Sequence, residues 1–220
     1  MTDNLLIVRR GDVEIATLNR PDALNALDPD LTQALYAYFD GLHQRTDVRV
    51  VLLRGSGRGF CAGLDIKEKR ERDQNDESPA LRTLRIQTNI GNIYRKMRSC
   101  PQPIIALGHG AACGGGLSLL LASDIRLAAP SLKMNAAYIK IGLGGCDMAS
   151  SYFLPRLVGA SLAAEMILTG RFIHADRALA LGLVSQLVEE EALLDAGLAL
   201  AQEMLLTAPW GLRLSKQALG

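Results

Sequence analysis

Several things are scarce in this chain, and each scarcity narrows its class. It has four cysteines, Cys61, Cys100, Cys113 and Cys146, widely spaced and without a CxxC pair. At this length they argue against a disulfide scaffold and for reduced thiols in a cytoplasmic protein. The three histidines, His43, His109 and His174, are far apart, so a metal site would have to be assembled from distant pieces and none is expected. No apolar run approaches the roughly 18 residues of a spanning helix; the candidate Leu117 to Ala122 is far shorter. The first ten residues lack a basic start followed by an apolar core, so no secretory signal is expected. An excess of charge is missing too: 24 basic residues against 23 acidic leave +1. Neither nucleic acid nor a membrane is expected as a partner. What remains, 49% hydrophobic and 21% charged over 220 residues, excludes disorder and repeats of collagen or coiled-coil type.

The periodicities describe an α/β core followed by a helical tail. Leu5–Val8 and Val13–Thr17 read as strands around an Arg-Gly-Asp turn. Asp28 with Pro29 opens a helix whose apolar residues recur from Leu31 to Leu42. Val48–Leu53, apolar except for Arg49, and the wholly apolar Ile104–Leu107 read as short strands of the kind buried on both faces. A helix is expected from about Leu81 to the prolines at 101 and 103, another over Leu117–Ala122, and a strand over Asp124–Ala128. Between them, Asp65–Ser78 is strongly polar, either a solvated helix and loop or a cover over a site. Residues 161–206 read as mostly helical, interrupted at Gly170 and Gly182.

Two glycine-bearing turns follow buried strands: Arg58-Gly59-Phe60-Cys61-Ala62-Gly63-Leu64-Asp65, and Gly108-His109-Gly110-Ala111-Ala112-Cys113-Gly114-Gly115-Gly116. Each offers unencumbered backbone N–H groups at a strand end. In the second they stand at a helix N-terminus, which favours negative charge. Two such donors aimed at one point would form an oxyanion hole. Neither turn has the Lys and Ser/Thr of a phosphate loop, and Gly116-Leu117-Ser118-Leu119-Leu120 lacks the closing glycine of a nucleophile elbow.

These segments, with Leu18-Asn19-Arg20-Pro21 to Asn25-Ala26-Leu27, Ala122-Ser123-Asp124-Ile125-Arg126, Leu154-Pro155-Arg156-Leu157-Val158-Gly159 and Leu168-Thr169-Gly170, resemble the enoyl-CoA hydratase/isomerase (crotonase) superfamily. The likeness runs from about Leu5 to Lys216. It implies a ββα spiral core over residues 1–160 and a C-terminal helical trimerisation region over 161–220. Relatives continue through another helix or two, so that region is expected to be incomplete. It also implies assembly as a homotrimer or dimer of trimers, and an acyl-CoA or enoyl-CoA thioester as substrate; coenzyme A enters with the substrate and no separate cofactor is expected. By the resemblance the oxyanion donors are the N–H groups of Leu64 and Gly115. Ala62, Leu64, Asp65, Ile66 and Lys67 would run along coenzyme A, with Ala23 and Leu24 on the same surface. Arg20 and Lys67 either meet phosphates or are simply solvated.

The chain departs from the family pattern where hydratases carry two glutamates. Ser118 stands at the first position and Tyr138, after Ala137, at the second. Neither a serine nor a tyrosine of ordinary pKa is a good base near neutral pH. Paired-glutamate hydration is therefore not expected, and isomerase-type or other enolate chemistry is. Asp147 remains, either as general base or as the cap of a helix beginning at Met148. Tyr138 is either a hydrogen-bond donor in the site or a packing residue. Cys61, Cys113 and Cys146 fall in glycine-rich site segments and are read as small buried thiols. A non-catalytic acyl-CoA-binding protein and a thioester hydrolase are the alternatives.

Overall fold

The structure, a computed structural model, describes residues 3–66, 78–144 and 147–219, with the side chains of Pro79 and Asp147 outside that description. A hairpin opens the chain: β1 (Leu5–Arg10) and β2 (Val13–Leu18) pair antiparallel, Leu5 opposite Leu18. Asp28 then caps α1 (Pro29–Gly41), its carboxylate accepting from Leu31 N–H at 2.7 Å. With Pro29 at the first position, the fixed φ and the cap satisfy the helix start. β3 (Val50–Gly55) is followed by the first glycine turn and, beyond residues 67–77, by α2 (Pro79–Ser99). β4 (Ile104–Gly108), β5 (Ala111–Cys113) and α3 (Gly115–Ala122) form the next unit. β6 (Ile125–Ala128), β7 (Lys133–Asn135) and α4 (Ser150–Thr169) form another. The tail contains β8 (Ile173–His174), α5 (Ala175–Ala180), β9 (Gln186–Leu187), α6 (Leu193–Leu205) and α7 (Pro209–Leu219).

The strands form two layers. The larger sheet has the order β1-β2-β3-β4-β6-β9, parallel from β2 onward. The smaller has the order β5-β7-β8, and the first glycine turn runs beside β5 through a parallel bridge between Cys61 and Ala112. Alternate residues of the large sheet serve two cores. Ala16, Leu18, Val51, Leu53 and Ala106 face the helices α1 to α4. Val13, Ile15, Val50, Leu52, Ile105 and Leu107 face α6, which covers the opposite side with Leu193 and Ala201. Burial on both faces explains why β3 is apolar from Val50 to Leu53 and β4 along its whole length.

Differences from the sequence reading are local. α3 begins at Gly115 rather than Leu117. α4 begins at Ser150, with Ala149 as its N-cap. Asp147 thus belongs to a 3-10 turn ahead of the helix and does not occupy the cap position. His174 is in β8 instead of a loop. Most of the polar stretch after Asp65, together with Lys67 and Cys146, lies outside the described residues.

Candidate active site

The two glycine turns come together backbone to backbone. Phe60 and Cys61 N–H donate to His109 and Ala111 carbonyls, each at 2.9 Å, and Cys113 N–H donates to Cys61 O at 3.0 Å. On its other side the same segment meets residues 24–27. Ala62 N–H donates to Leu24 O (2.9 Å), Leu27 N–H to Gly63 O (2.7 Å) and Asp65 N–H to Leu27 O (3.1 Å).

In an unbroken strand Ala62 and Leu64 would point their N–H groups toward the same neighbour. Here they do not. Gly63 O and Asp65 N–H are both committed to Leu27, so the intervening Leu64 N–H faces the opposite side, that of β5 and the start of α3. The change of phase falls at Gly63, whose φ is +93°, a conformation open to glycine and strained for other residues. A Cβ added there would meet Cys113 O at 2.6 Å and Gly115 N at 3.3 Å, which measures how closely the two turns approach.

The second amide belongs to Gly115, the first residue of α3, after Gly114 at φ +49° and ψ −116°. The first N–H groups of a helix lack intrahelical acceptors. Among the described residues neither Leu64 N–H nor Gly115 N–H donates to a backbone acceptor. Two donors so placed, one of them at a helix N-terminus, can hold a single carbonyl oxygen as it gains negative charge.

Around these amides the structure arranges the other expected residues. Ala23 ends a 3-10 turn, and Leu24 follows it at φ +49° with its carbonyl on Ala62. Ala23, Leu24, Ala62, Leu64 and Asp65 form a half-buried strip, and Ile66 at its end is 53% exposed. A cleft of about 710 Å³ between α1 and α2 opens at Leu64 and Asp65. A larger groove of about 1050 Å³ runs past Tyr94, Met148 and Asp124, and its lining includes neither Leu64 nor Gly115. Arg20 is not solvated: it pairs with Asp28 and Asp65 at 3.1 Å each, tying the strip to the α1 cap. Asn25, fully buried, donates to Ser56 and Gly59 carbonyls at 2.8 Å and accepts from Arg20 N–H. His109 is buried, its ring nitrogen 2.9 Å from Gly57 O.

Ser118 and Tyr138, expected separately, are brought into one network: their hydroxyls lie 2.7 Å apart, and Tyr138 donates to Gly114 O at 2.7 Å. Asp147 stands one residue before Met148, whose Sδ would lie 3.1 Å from a Gly115 Cβ. Cys61 is fully buried, and burial pushes its thiol up to about 12; burial raises the Cys100 and Cys113 thiols as well. These three are poor nucleophiles near neutral pH. Among the described residues no three His, Cys, Asp or Glu side chains are grouped as a metal would need, and no helix is long and apolar enough to cross a membrane.

The sequence profile of the family described as enoyl-CoA hydratase/isomerase matches residues 9–220. The chain belongs to that family. A probable enoyl-CoA hydratase of Mycobacterium leprae is 38% identical over 96% of the chain and 72% of its own length. The crystal structure of a putative enoyl-CoA hydratase from Streptomyces coelicolor superposes with a TM-score of 0.92, at 35% identity, covering 98% of this chain and 78% of that one. A monofunctional enoyl-CoA isomerase from M. smegmatis gives 0.83 at 36% identity, covering 99% and 92%. The two-layer architecture is therefore the crotonase fold, and the chain is a crotonase-like enzyme.

Sequence reasoning overlooked Tyr94, whose hydroxyl donates to Gly115 O at 3.0 Å. Its position on the apolar face of α2 makes it look like core. The signal was a hydroxyl on that face, since a buried Tyr O–H needs a partner.

Proposed function

We propose that this crotonase-family enzyme acts on an acyl-CoA or enoyl-CoA thioester, seating the thioester carbonyl oxygen between the Leu64 and Gly115 N–H groups, and that it carries out isomerisation or another enolate reaction rather than hydration. The observation behind this reading is the pair of amides, without backbone acceptors among the described residues, at the meeting of the two glycine turns. Removing a proton beside a thioester carbonyl leaves an enolate with its charge on that oxygen. Each fixed donor stabilises such charge by about 3 kcal/mol.

The case against hydration is chemical. The positions where the family resemblance places two glutamates hold Ser118 and Tyr138, and these bond to each other. Neither hydroxyl is a base near neutral pH. Asp147 is the acid/base in this reading. Its carboxylate takes a proton from one carbon of the acyl chain and returns it to another, with no net change in its own state. Coenzyme A runs along Ala23, Leu24, Ala62, Leu64, Asp65, Ile66 and Lys67. Assembly as a homotrimer or dimer of trimers is supported by the exposed apolar residues of the tail. A cytoplasmic setting is supported by free Cys61, Cys100 and Cys113.

The test compares wild type with Asp147→Asn on crotonyl-CoA, a dienoyl-CoA and a saturated acyl-CoA. Expected is double-bond movement without water uptake, reduced about 100-fold or more in the variant, with affinity for the thioester retained. A hydrated product would overturn the isomerase reading. Free coenzyme A released from the saturated ester would establish hydrolysis instead. Tight binding with no turnover of any ester would mark a binding protein.

A further inference from the structure

Two buried tyrosines grip the peptide units on either side of the Gly115 Cα, the first of which carries the Gly115 N–H, and we infer that Tyr138 and Tyr94 are positioning residues for that donor. The inference rests on the proposed role of Gly115 N–H as a receiver of the thioester oxygen. It starts from three consecutive glycines, 114 to 116. Glycine has the freest backbone of any residue, yet a donor that stabilises developing charge must be oriented beforehand. The turn has little room for larger residues: a Cβ on Gly116 would strike the Cys61 carbonyl, and one on Gly115 would press on Leu27 Cδ1 at 2.9 Å and Met148 Sδ at 3.1 Å. Rigidity has to come from outside the turn.

Tyr138 and Tyr94 provide it. Within one trans peptide the C=O and N–H point in opposite directions, so the Gly114 carbonyl and the Gly115 N–H turn as a unit. Gly114 O accepts from Ser118 N–H at 3.1 Å and from the Tyr138 hydroxyl at 2.7 Å. Tyr138 has one hydroxyl proton and gives it to that carbonyl. The 2.7 Å contact with Ser118 is therefore a bond donated by the serine. The Tyr94 hydroxyl donates to Gly115 O at 3.0 Å and so fixes the next peptide plane. Both rings are nearly inaccessible, Tyr138 at 3% and Tyr94 at 1%. A carbonyl that accepts two bonds also polarises its own peptide, which makes the attached N–H a stronger donor. Neither tyrosine needs to touch the substrate to act this way.

Tyr138→Phe and Tyr94→Phe each delete one oxygen and keep the ring. The probe is butyryl-CoA labelled with carbon-13 at the thioester carbonyl, read by difference infrared spectroscopy. Kinetics use whichever thioester wild type turns over. Wild type should lower the bound carbonyl stretch relative to the free ester. In the variants that lowering should shrink and kcat should fall about tenfold or more, with KM changed less than about twofold. A purely packing role would reduce the melting temperature while leaving frequency and kcat alone, and that result overturns the inference. A wild-type carbonyl at its solution frequency would instead remove the thioester from Gly115, and the functional reading would fail before the positioning role was reached. Should Tyr138→Phe not fold, Tyr94→Phe decides by the same spectrum: a retained shift overturns the inference.

Discussion

At Gly63 a single backbone torsion decides which neighbour the Leu64 amide faces. Gly63→Ala would bring a Cβ to 2.6 Å from Cys113 O at a φ of +93°. Such strain costs about 1–3 kcal/mol, and displacing both donors should lower kcat about 100-fold. Thermal denaturation and the thioester assay check both effects; unchanged kcat in a folded variant would mean that the phase change at Gly63 does not serve the site. The two glycine turns are visible in the letters, and the family resemblance places Leu64 and Gly115 on them. The reversal of direction at Gly63 is not visible, because it is defined by bonds to Leu24 and Leu27, far away in sequence. The same applies to Ser118 and Tyr138. Each is noticeable where a carboxylate is expected, but the bond between them depends on packing α3 beside the 3-10 turn 137–141. Arg20 shows the opposite error: a lone arginine at a loop end reads as solvated or phosphate-facing, and the fold gives it two carboxylates.

The final helix is tied down by a buried cation and by Arg213, which donates to Arg45 O at 2.9 Å. Lys216 of α7, 3% exposed, donates to Met97 O (2.9 Å) and Gln102 O (2.7 Å) and lies 3.0 Å from the Asp124 carboxylate. Lys216→Met keeps the apolar stem and leaves two buried carbonyls without that donor. The expected loss is about 2–3 kcal/mol, measured by denaturant unfolding; a change under about 0.5 kcal/mol would show that α7 docks without help from Lys216. Long elements are readable from periodicity, as α1 and α2 are. Those that escape are too short to display a period: β5 and β7 have three residues each and β8 has two. The true start of α3 is hidden because its first two residues are glycines, weak helix formers admitted here by close packing. Gly159, at φ +77°, likewise breaks α4 where its apolar pattern continues.

Across the whole molecule, a sheet covered on both faces carries the first glycine turn after β3 and the second after β4, so the site inherits its precision from the most buried strands. The tail closes the second face through α6 but leaves Leu168, Leu206, Trp210, Leu214 and Leu219 exposed. So many exposed large apolar residues favour self-association. Sedimentation should give three or six times the 23.7 kDa chain mass; a monomer at micromolar concentration would refute the proposed assembly.

One oxygen atom and two nitrogens decide whether the site works as described, and a crystal structure of the butyryl-CoA complex would locate all three. The thioester carbonyl oxygen should lie about 3 Å from both Leu64 N and Gly115 N, with the acyl chain reaching toward Asp147. A bound ester whose carbonyl points elsewhere, with either amide left to solvent, would contradict that placement.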